Sequence, residues 1–242
     1  MDLETFRLYT EWHDHVNRRL YDAPADPWRL LSVDPAAIQR CVPGIGLYGL
    51  GRVDGGAWDR SANTRALTDL PAHEGVRQRF EAGRDWEDTR LVEWARERFE
   101  DGDRARGYES LDAFVEQRCA YLDDLFVRIR EEGYRPNAEA EHDNPAARHN
   151  PYEDAYAHEF EPLVAVGRSG EFLWVEGFHR LAIATVLDID AVPVQVVCRH
   201  REWQHVRDEV ATTGGETLPP AVTPHRDNPD LADLLDGSEN HS

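Results

Sequence analysis

The chain has 242 residues and a formal net charge of −20, from 47 acidic and 27 basic residues, and every basic residue is arginine. This length suits one large domain or two small ones and allows a sizeable buried core. So acidic a surface argues against general binding to nucleic-acid backbones, which requires basic patches.

The N-terminal segment, residues 1–26, is predicted to be a helix followed by a linker. Apolar residues recur at helical spacing from Glu4 to Leu20, and the proline-punctuated stretch "YDAPADPW" follows. Next, "RLLSVDPAAIQRC" predicts a short strand and a turn capped by Asp34. The glycine-rich "VPGIGLYGLGRVDGGAWDR" predicts another strand between turns.

The middle of the chain is predicted to contain a helical insertion, the clearest helix and a loop. The insertion covers about residues 60–107, and the helix starts after Ser110 and stops at Gly133. An acidic loop follows at about 137–160, rich in Pro, Asn and His. Its histidines lack the i, i+4 spacing of a helical zinc site, so we favour a solvated acidic loop over a metal site.

The last third begins with "PLVAVGRSGEFLWVEG", which predicts a β-hairpin that turns at residues 168–170. A helix at 178–187, the strand "AVPVQVVCR" and the helix "EWQHVRDEV" complete a main domain of residues 27–210. Residues 211–242 are predicted to be a disordered tail with one short turn at "NPDLADLL". The fold class expected is α+β, a small mixed sheet with flanking helices.

Composition also bears on the environment of the protein. Heavy use of acid with arginine-only basic residues is typical of a halophilic, haloarchaeal-type protein, because molar salt shortens the Debye length to about 3 Å. An ordinary acidic protein is the alternative. The cysteines Cys41, Cys119 and Cys198 form no CxxC pair, so neither a zinc ribbon nor a disulfide framework is indicated. No apolar run has membrane length, and we expect a cytoplasmic, reduced protein.

The order helix, "EEGYRPN", hairpin, "EGFHR", helix, "DIDAVPVQVV" resembles the ParB/sulfiredoxin-like superfamily. "GYRP" (133–136) would correspond to the first turn of its nucleotide site, and "GFHR" (177–180) to the second. The resemblance covers roughly residues 110–137 and 160–200, and extends plausibly to 27–40. It implies a ParB/sulfiredoxin-like sheet whose second turn lies against the phosphates of a bound nucleotide.

The residues of the second turn suit an anion on their own account. A helix start presents unpaired N–H groups and partial positive charge, and Gly177 lets the backbone approach a phosphate closely. Arg180 can donate two hydrogen bonds to phosphate oxygens, and His179 can donate one. The alternative is that Gly177 only makes the turn and Arg180 pairs with an Asp or Glu.

The cofactor implied by the resemblance is a nucleoside triphosphate, ATP or CTP, with Mg²⁺. Glu176 is the candidate metal ligand or general base, and its alternative role is a salt bridge to Arg180 or a helix cap. Arg135 is a candidate second phosphate contact, and its alternative is plain surface exposure. Trp58, in "VDGGAWDR", is placed either to stack a nucleobase or to plug a hairpin end.

Departures from the superfamily limit the function. Phe178 stands where sulfiredoxin-like enzymes carry a catalytic Cys and ParB clamps commonly carry Glu, so sulfinate repair is excluded. Too few residues follow the last helix for a helix-turn-helix, which makes DNA an improbable partner. We expect a nucleotide-binding ParB-like protein with phosphoryl transfer to an unknown small-molecule or protein acceptor, or nucleotide hydrolysis. The alternatives are a non-catalytic nucleotide-sensing or partner-binding module, and a DNA-associated ParB-like protein lacking the helix-turn-helix.

Overall fold

The computed structural model describes residues 2–137, 139, 160–213 and 223–235. In these residues helices flank a mixed sheet, which confirms the predicted α+β class. The helices are α1 (Leu3–Leu20), α2 (Pro71–Phe80), α3 (Arg90–Glu100), α4 (Leu111–Ala113, a π-helical stretch Phe114–Cys119, and Ala120–Glu132), α5 (Phe178–Val186), α6 (Arg201–Thr213) and α7 (Ala232–Leu235). The strands are β1 (Leu31–Val33), β2 (Arg40–Cys41), β3 (Arg52–Asp54), β4 (Arg65–Ala66), β5 (Leu163–Val166), β6 (Phe172–Glu176) and β7 (Val192–His200).

The sheet is organised around β7, its longest strand. The strand order is β1-β7-β5-β6-β2-β4. Along one edge of β7, β1 pairs antiparallel with its first half and β3 pairs parallel with its second half. Along the other edge, β5 pairs with β7 in parallel and with β6 as an antiparallel hairpin. Strand β6 therefore lies inside the sheet and delivers its C-terminal end to the start of α5.

The two faces of the sheet are covered by different helices. Alternate residues of β5 contribute to the two faces, because successive side chains of a strand point to opposite sides of the sheet. Leu163 and Ala165 pack with Phe6 of α1, whereas Val164 and Val166 pack with Leu181 of α5 and with α6. A further core joins the opposite side of α5 to α2, α3 and α4. Helix α5 is thus held between the sheet and an outer helical layer.

The predicted helical insertion contains α2 and α3 but also β4, which pairs with β2 and extends the sheet. The predicted acidic loop and its histidines lie outside the described residues, apart from Asn137, Glu139 and Phe160. None of the described helices is both long and apolar enough to cross a membrane.

The tail expected at residues 211–242 is described by the structure at 211–213 and 223–235, and the rest lies outside the described residues. One short turn is predicted at residues 228–235, and short helices lie there, but residues 223–235 are more ordered than a disordered tail. They form short helical turns and α7, and they pack against β7 and α6. The fully buried Asp230 accepts hydrogen bonds from Arg199 at 2.7 Å and from Trp203 Nε1 at 2.9 Å, and Arg207 also binds this segment. Polar composition suggested a mobile chain, but the acidic residues here neutralise arginines that the sheet and α6 bury.

Candidate functional site

The turn between β6 and α5 has the backbone geometry that its glycine predicts. Gly177 adopts φ 89° and ψ 31°, a left-handed conformation that L side chains rarely adopt. An added Cβ would also lie 3.1 Å from Cβ of Pro162. Glu176, the candidate catalytic residue, accepts a hydrogen bond from the Gly177 N–H at 3.2 Å. Its carboxylate therefore binds the backbone of the turn, and no described side chain caps α5.

His179 lies in the first turn of α5 and is 6 % exposed. Its Nδ1 is 3.1 Å from Nη2 of Arg118, which comes from the π-helical stretch of α4. Burial lowers the pKa of His179 well below its usual value, and the charges of Arg118 and Arg106 lower it further. The imidazole is therefore neutral, and its buried Nε2 has no hydrogen-bond partner within the described part of the chain.

Arg180 points to the loop that follows α4. Its guanidinium donates to the backbone carbonyl of Arg135 at 2.7 Å and to Oδ1 of Asn137, and its carbon centre lies 4.3 Å from the Tyr134 ring centroid. Nη1 is also 3.6 Å from the carboxylate of Glu161. The alternative in which Arg180 pairs with an acidic residue is thus what the structure shows. Its Nε is buried, and no described residue accepts a hydrogen bond from it.

Glu161, two residues before β5, contacts both Arg180 and the backbone of Asn137. It is 6 % exposed and accepts a hydrogen bond from the backbone N–H of Asn137. Burial raises the pKa of its carboxyl group, and the charge of Arg180 only partly offsets that effect. The first turn of the predicted nucleotide site is therefore bound to the second turn through Arg180, Asn137 and Glu161.

The predicted site residues do not all meet. Gly177 ends the turn before α5, His179 and Arg180 lie in the first turn of that helix, and Arg135 joins them through its backbone carbonyl. The Arg135 side chain is 53 % exposed and pairs with Glu132 at 3.2 Å. This exposed position agrees with the alternative to a phosphate contact, in which the Arg135 side chain simply lies on the surface.

Sequence reasoning missed the closest partners of the turn, Arg118, Tyr134 and Glu161. Arg118 carried a recognisable signal, since it lies four residues after Phe114 and four before Leu122, on the apolar stripe of α4. An arginine on a buried stripe needs a polar partner inside the protein. Its position therefore indicated an internal polar site facing α4.

The second candidate, "VDGGAWDR", forms an internal ion pair. Arg168 donates to both carboxylate oxygens of Asp59, at 2.8 and 2.7 Å. Burial would raise the pKa of Asp59, but the hydrogen bonds from Arg168 outweigh it and lower the pKa to about 2. Trp58 is half-buried, with its ring 5.5 Å from that of His200. The ion pair between Asp59 and Arg168 therefore links the segment after β3 to the turn between β5 and β6.

The metal expected with a nucleotide, Mg²⁺, requires oxygen ligands. Within the described ranges, no group of three or more His, Cys, Asp or Glu side chains is placed to hold a metal ion. The donors present suit an anion: a neutral imidazole N–H, an arginine Nε–H and the start of a nine-residue helix.

The chain was also compared with known proteins. No model of a known protein family matches it, and neither does any curated protein or any solved structure.

Proposed function

We propose that this protein binds a nucleoside triphosphate, with its phosphate groups at the turn formed by Gly177 and the start of α5. The observation that supports this most directly is the buried Nε2 of His179, which has no hydrogen-bond partner among the residues that the structure describes. Because Arg118 can only donate to Nδ1, the proton of the neutral ring is on Nε2. A buried donor without an acceptor is costly, and an oxygen of a bound ligand would satisfy it.

Charge supports an anionic ligand. The chain carries a net charge of −20, yet two cations act on His179: beyond the effect of burial, the charges of Arg118 and then Arg106 lower its pKa. The N-terminus of α5 adds a partial positive charge at the same place. These positive groups favour a phosphate over a cationic or neutral ligand, and they act beside the carboxylates of Glu161 and Glu176.

Arg180 has a different role in this proposal from the one its spacing predicts. Its Nη atoms hold Asn137, the Arg135 carbonyl and Glu161, so they fix the 134–137 segment beside the turn. Its Nε–H remains as a donor for a phosphate oxygen. The ParB-like order of turns described above is what favours a nucleotide, ATP or CTP, over free phosphate.

The metal part of the expectation receives no support from the described residues. Glu176 is the nearest carboxylate in the sequence, but it binds the Gly177 N–H, and it belongs to no group of three or more potential metal ligands among the described residues. Binding of phosphate groups by His179, Arg180 and the helix start is therefore proposed without a metal-dependent step. Phosphoryl transfer becomes part of the proposal only if turnover is measured.

The test is calorimetric titration of ATP, CTP and GTP into the wild type, His179→Leu and His179→Gln in molar KCl. Loss of one hydrogen bond to a charged ligand should weaken binding by about 1.5–3 kcal/mol, or more than about tenfold, in His179→Leu. His179→Gln keeps an N–H donor and should bind more tightly than His179→Leu. His205→Gln, at an exposed position, is the matched control.

Two results would contradict the proposal: no nucleotide binds the wild type, or His179→Leu binds as tightly as the wild type while retaining its circular dichroism spectrum. Release of γ-phosphate, measured with and without Mg²⁺ in the wild type and Glu176→Gln, then separates an enzyme from a sensor. Binding without release would favour the non-catalytic nucleotide-sensing module.

A further inference from the structure

The carboxylate of Glu161 lies beside the proposed phosphate site and is held in place from two sides. The residue is 6 % exposed, and its Oε1 accepts a hydrogen bond from the backbone N–H of Asn137. On the other side, the backbone N–H of Glu161 donates to Oε1 of Gln195 at 3.1 Å. These hydrogen bonds keep the carboxylate in the interior, next to Arg180.

The other oxygen of this carboxylate, Oε2, has no hydrogen-bond partner among the described residues. Nη1 of Arg180 is 3.6 Å from it, beyond the range of about 2.7–3.2 Å for a hydrogen bond from nitrogen. The guanidinium donates instead to Oδ1 of Asn137 and to the Arg135 carbonyl. Arg180 thus attracts the negative charge of Glu161 without donating a hydrogen bond to Oε2.

The charged groups around Glu161 come from several elements. Burial raises the pKa of its carboxyl group, and Glu139 raises it too, whereas Arg180 and the backbone hydrogen bond lower it. The segment after α4 also provides Tyr134, whose hydroxyl stays uncharged because burial raises its pKa. Glu176, at the end of the neighbouring strand, adds a carboxylate that accepts a hydrogen bond from the turn. Strand β7 contributes an uncharged amide.

A phosphate group at the turn would change this balance of charge. It would accept hydrogen bonds from Nε of Arg180 and Nε2 of His179, so that Arg180 would face two anions. Two like charges that share a buried site favour protonation of one of them. Those donors stabilise the ionised phosphate, whereas no described residue donates to Oε2 of Glu161, so that oxygen loses no hydrogen bond on protonation. A proton therefore costs least on Oε2.

We propose that Glu161 takes up one proton from solvent when a phosphate group binds, so that a neutral carboxyl group replaces a buried anion as the ligand enters. This inference rests on the proposed function of the turn. The complex then holds one proton more than the free protein, and affinity should fall as pH rises. The fall should reach about tenfold per pH unit between the pKa of Glu161 in the free protein and its higher pKa in the complex.

The test is calorimetric titration of the full chain without Mg²⁺ in molar KCl, with ATP or CTP, whichever the wild type binds more tightly. At about pH 8 a terminal phosphate, with a second pKa of about 6, is already ionised. Two buffers of different ionisation enthalpy give the number of protons taken up. The wild type should take up close to one proton and Glu161→Gln close to none. Because glutamine resembles the neutral carboxyl group, this variant should bind more than about threefold more tightly at this pH.

Glu132→Gln makes the same chemical change at an exposed position near the first turn and should keep the proton uptake. If Glu161→Gln does not fold, carbon-13 NMR of glutamate carboxyl groups in the wild type should show one of them becoming protonated as nucleotide is added. Nucleotide binding by the wild type without proton uptake, or unchanged uptake in Glu161→Gln, overturns this inference and leaves the proposed function standing. Absence of nucleotide binding overturns both.

Discussion

Nδ1 of His179 lies 3.1 Å from Nη2 of Arg118, and both side chains are buried. A guanidinium has no acceptor, so this contact requires a lone pair on Nδ1 and a proton on Nε2. One arginine on α4 thereby decides what the imidazole at the start of α5 can offer to a ligand.

This relationship predicts the protonation state of His179. Burial and the charge of Arg118 hold its pKa well below the ordinary value, so the ring should stay neutral, as the Nε2–H tautomer, throughout mildly acidic conditions. Nitrogen-15 NMR of the ring in the folded protein measures this, with the guanidinium-unfolded chain as reference. Arg118→Met should admit the other tautomer, and an unchanged spectrum in that variant would contradict the assignment.

Acid destabilisation should arise in part from His73. This side chain is 5 % exposed, and burial followed by the charge of Arg77 lowers its pKa to about 4. The unfolded chain binds its proton near pH 6.5, so the free energy of unfolding should fall as pH drops from about 6.5 to about 4. The full shift corresponds to about 3 kcal/mol.

Chemical denaturation at a series of pH values measures this loss. His73→Leu should show a shallower decline over that window, because the group that gains a proton is gone. His15→Gln, at an exposed position, controls for removal of a histidine. Identical pH profiles for His73→Leu and the wild type would show that His73 is not responsible.

The C-terminal segment should contribute strongly to stability through Asp230. Its carboxylate is fully buried and lies 2.7 Å from Arg199, which is itself buried. Asp230→Ala leaves arginine charge uncompensated in the interior, which typically costs about 3–5 kcal/mol. Asp227→Asn, at an exposed position, should change the unfolding free energy little. Guanidinium titration compares the two, and equal stabilities would contradict the assigned role.

The three thiols should be unreactive in the folded protein. Burial raises the pKa of Cys119 to about 12 and that of Cys198 to about 11, and it also raises the pKa of Cys41. Thiolate is the nucleophile, so labelling by a thiol reagent at mildly alkaline pH should require unfolding. An exposed thiol introduced by Ala37→Cys should react at once and serves as the control. Rapid labelling of the wild type would show that these sites open locally.

Local features of the site could be predicted from the sequence. A glycine between a strand and an amphipathic helix defined the turn at Gly177, because the periods of strand and helix change there. The side-chain pairings could not, since they join distant residues. His179 and Arg118 are 61 positions apart, and Arg199 and Asp230 are 31 apart. The motif at residues 177–180 identified Arg180 as a candidate phosphate contact. Only the fold reveals that Glu161 lies beside it.

The sequence predicts a short turn at residues 228–235, but not that residues 223–235 pack against the domain, for a related reason. A segment with few apolar residues normally cannot offset the entropy of ordering. Here Leu231 is buried, and the carboxylate of Asp230 replaces solvent around arginines of β7 and α6. This segment is stabilised by the buried arginines Arg199 and Arg207, which lie elsewhere in the sequence. The local sequence of the segment therefore does not reveal its partners.

The π-helical stretch Phe114–Cys119 gives α4 one more residue per turn than an α-helix would hold at that place. Each residue of an α-helix advances about 100° around the axis. Deleting a single residue from this stretch would leave a regular, continuous helix. The residues on one side of the deletion would then rotate by about 100° around the helix axis relative to those on the other side, so Arg118 and one end of α4 could no longer both keep their present orientation. A shortening that improves helical regularity would therefore break the contact with His179, and insertions and deletions should be tolerated less in this stretch than in the rest of α4.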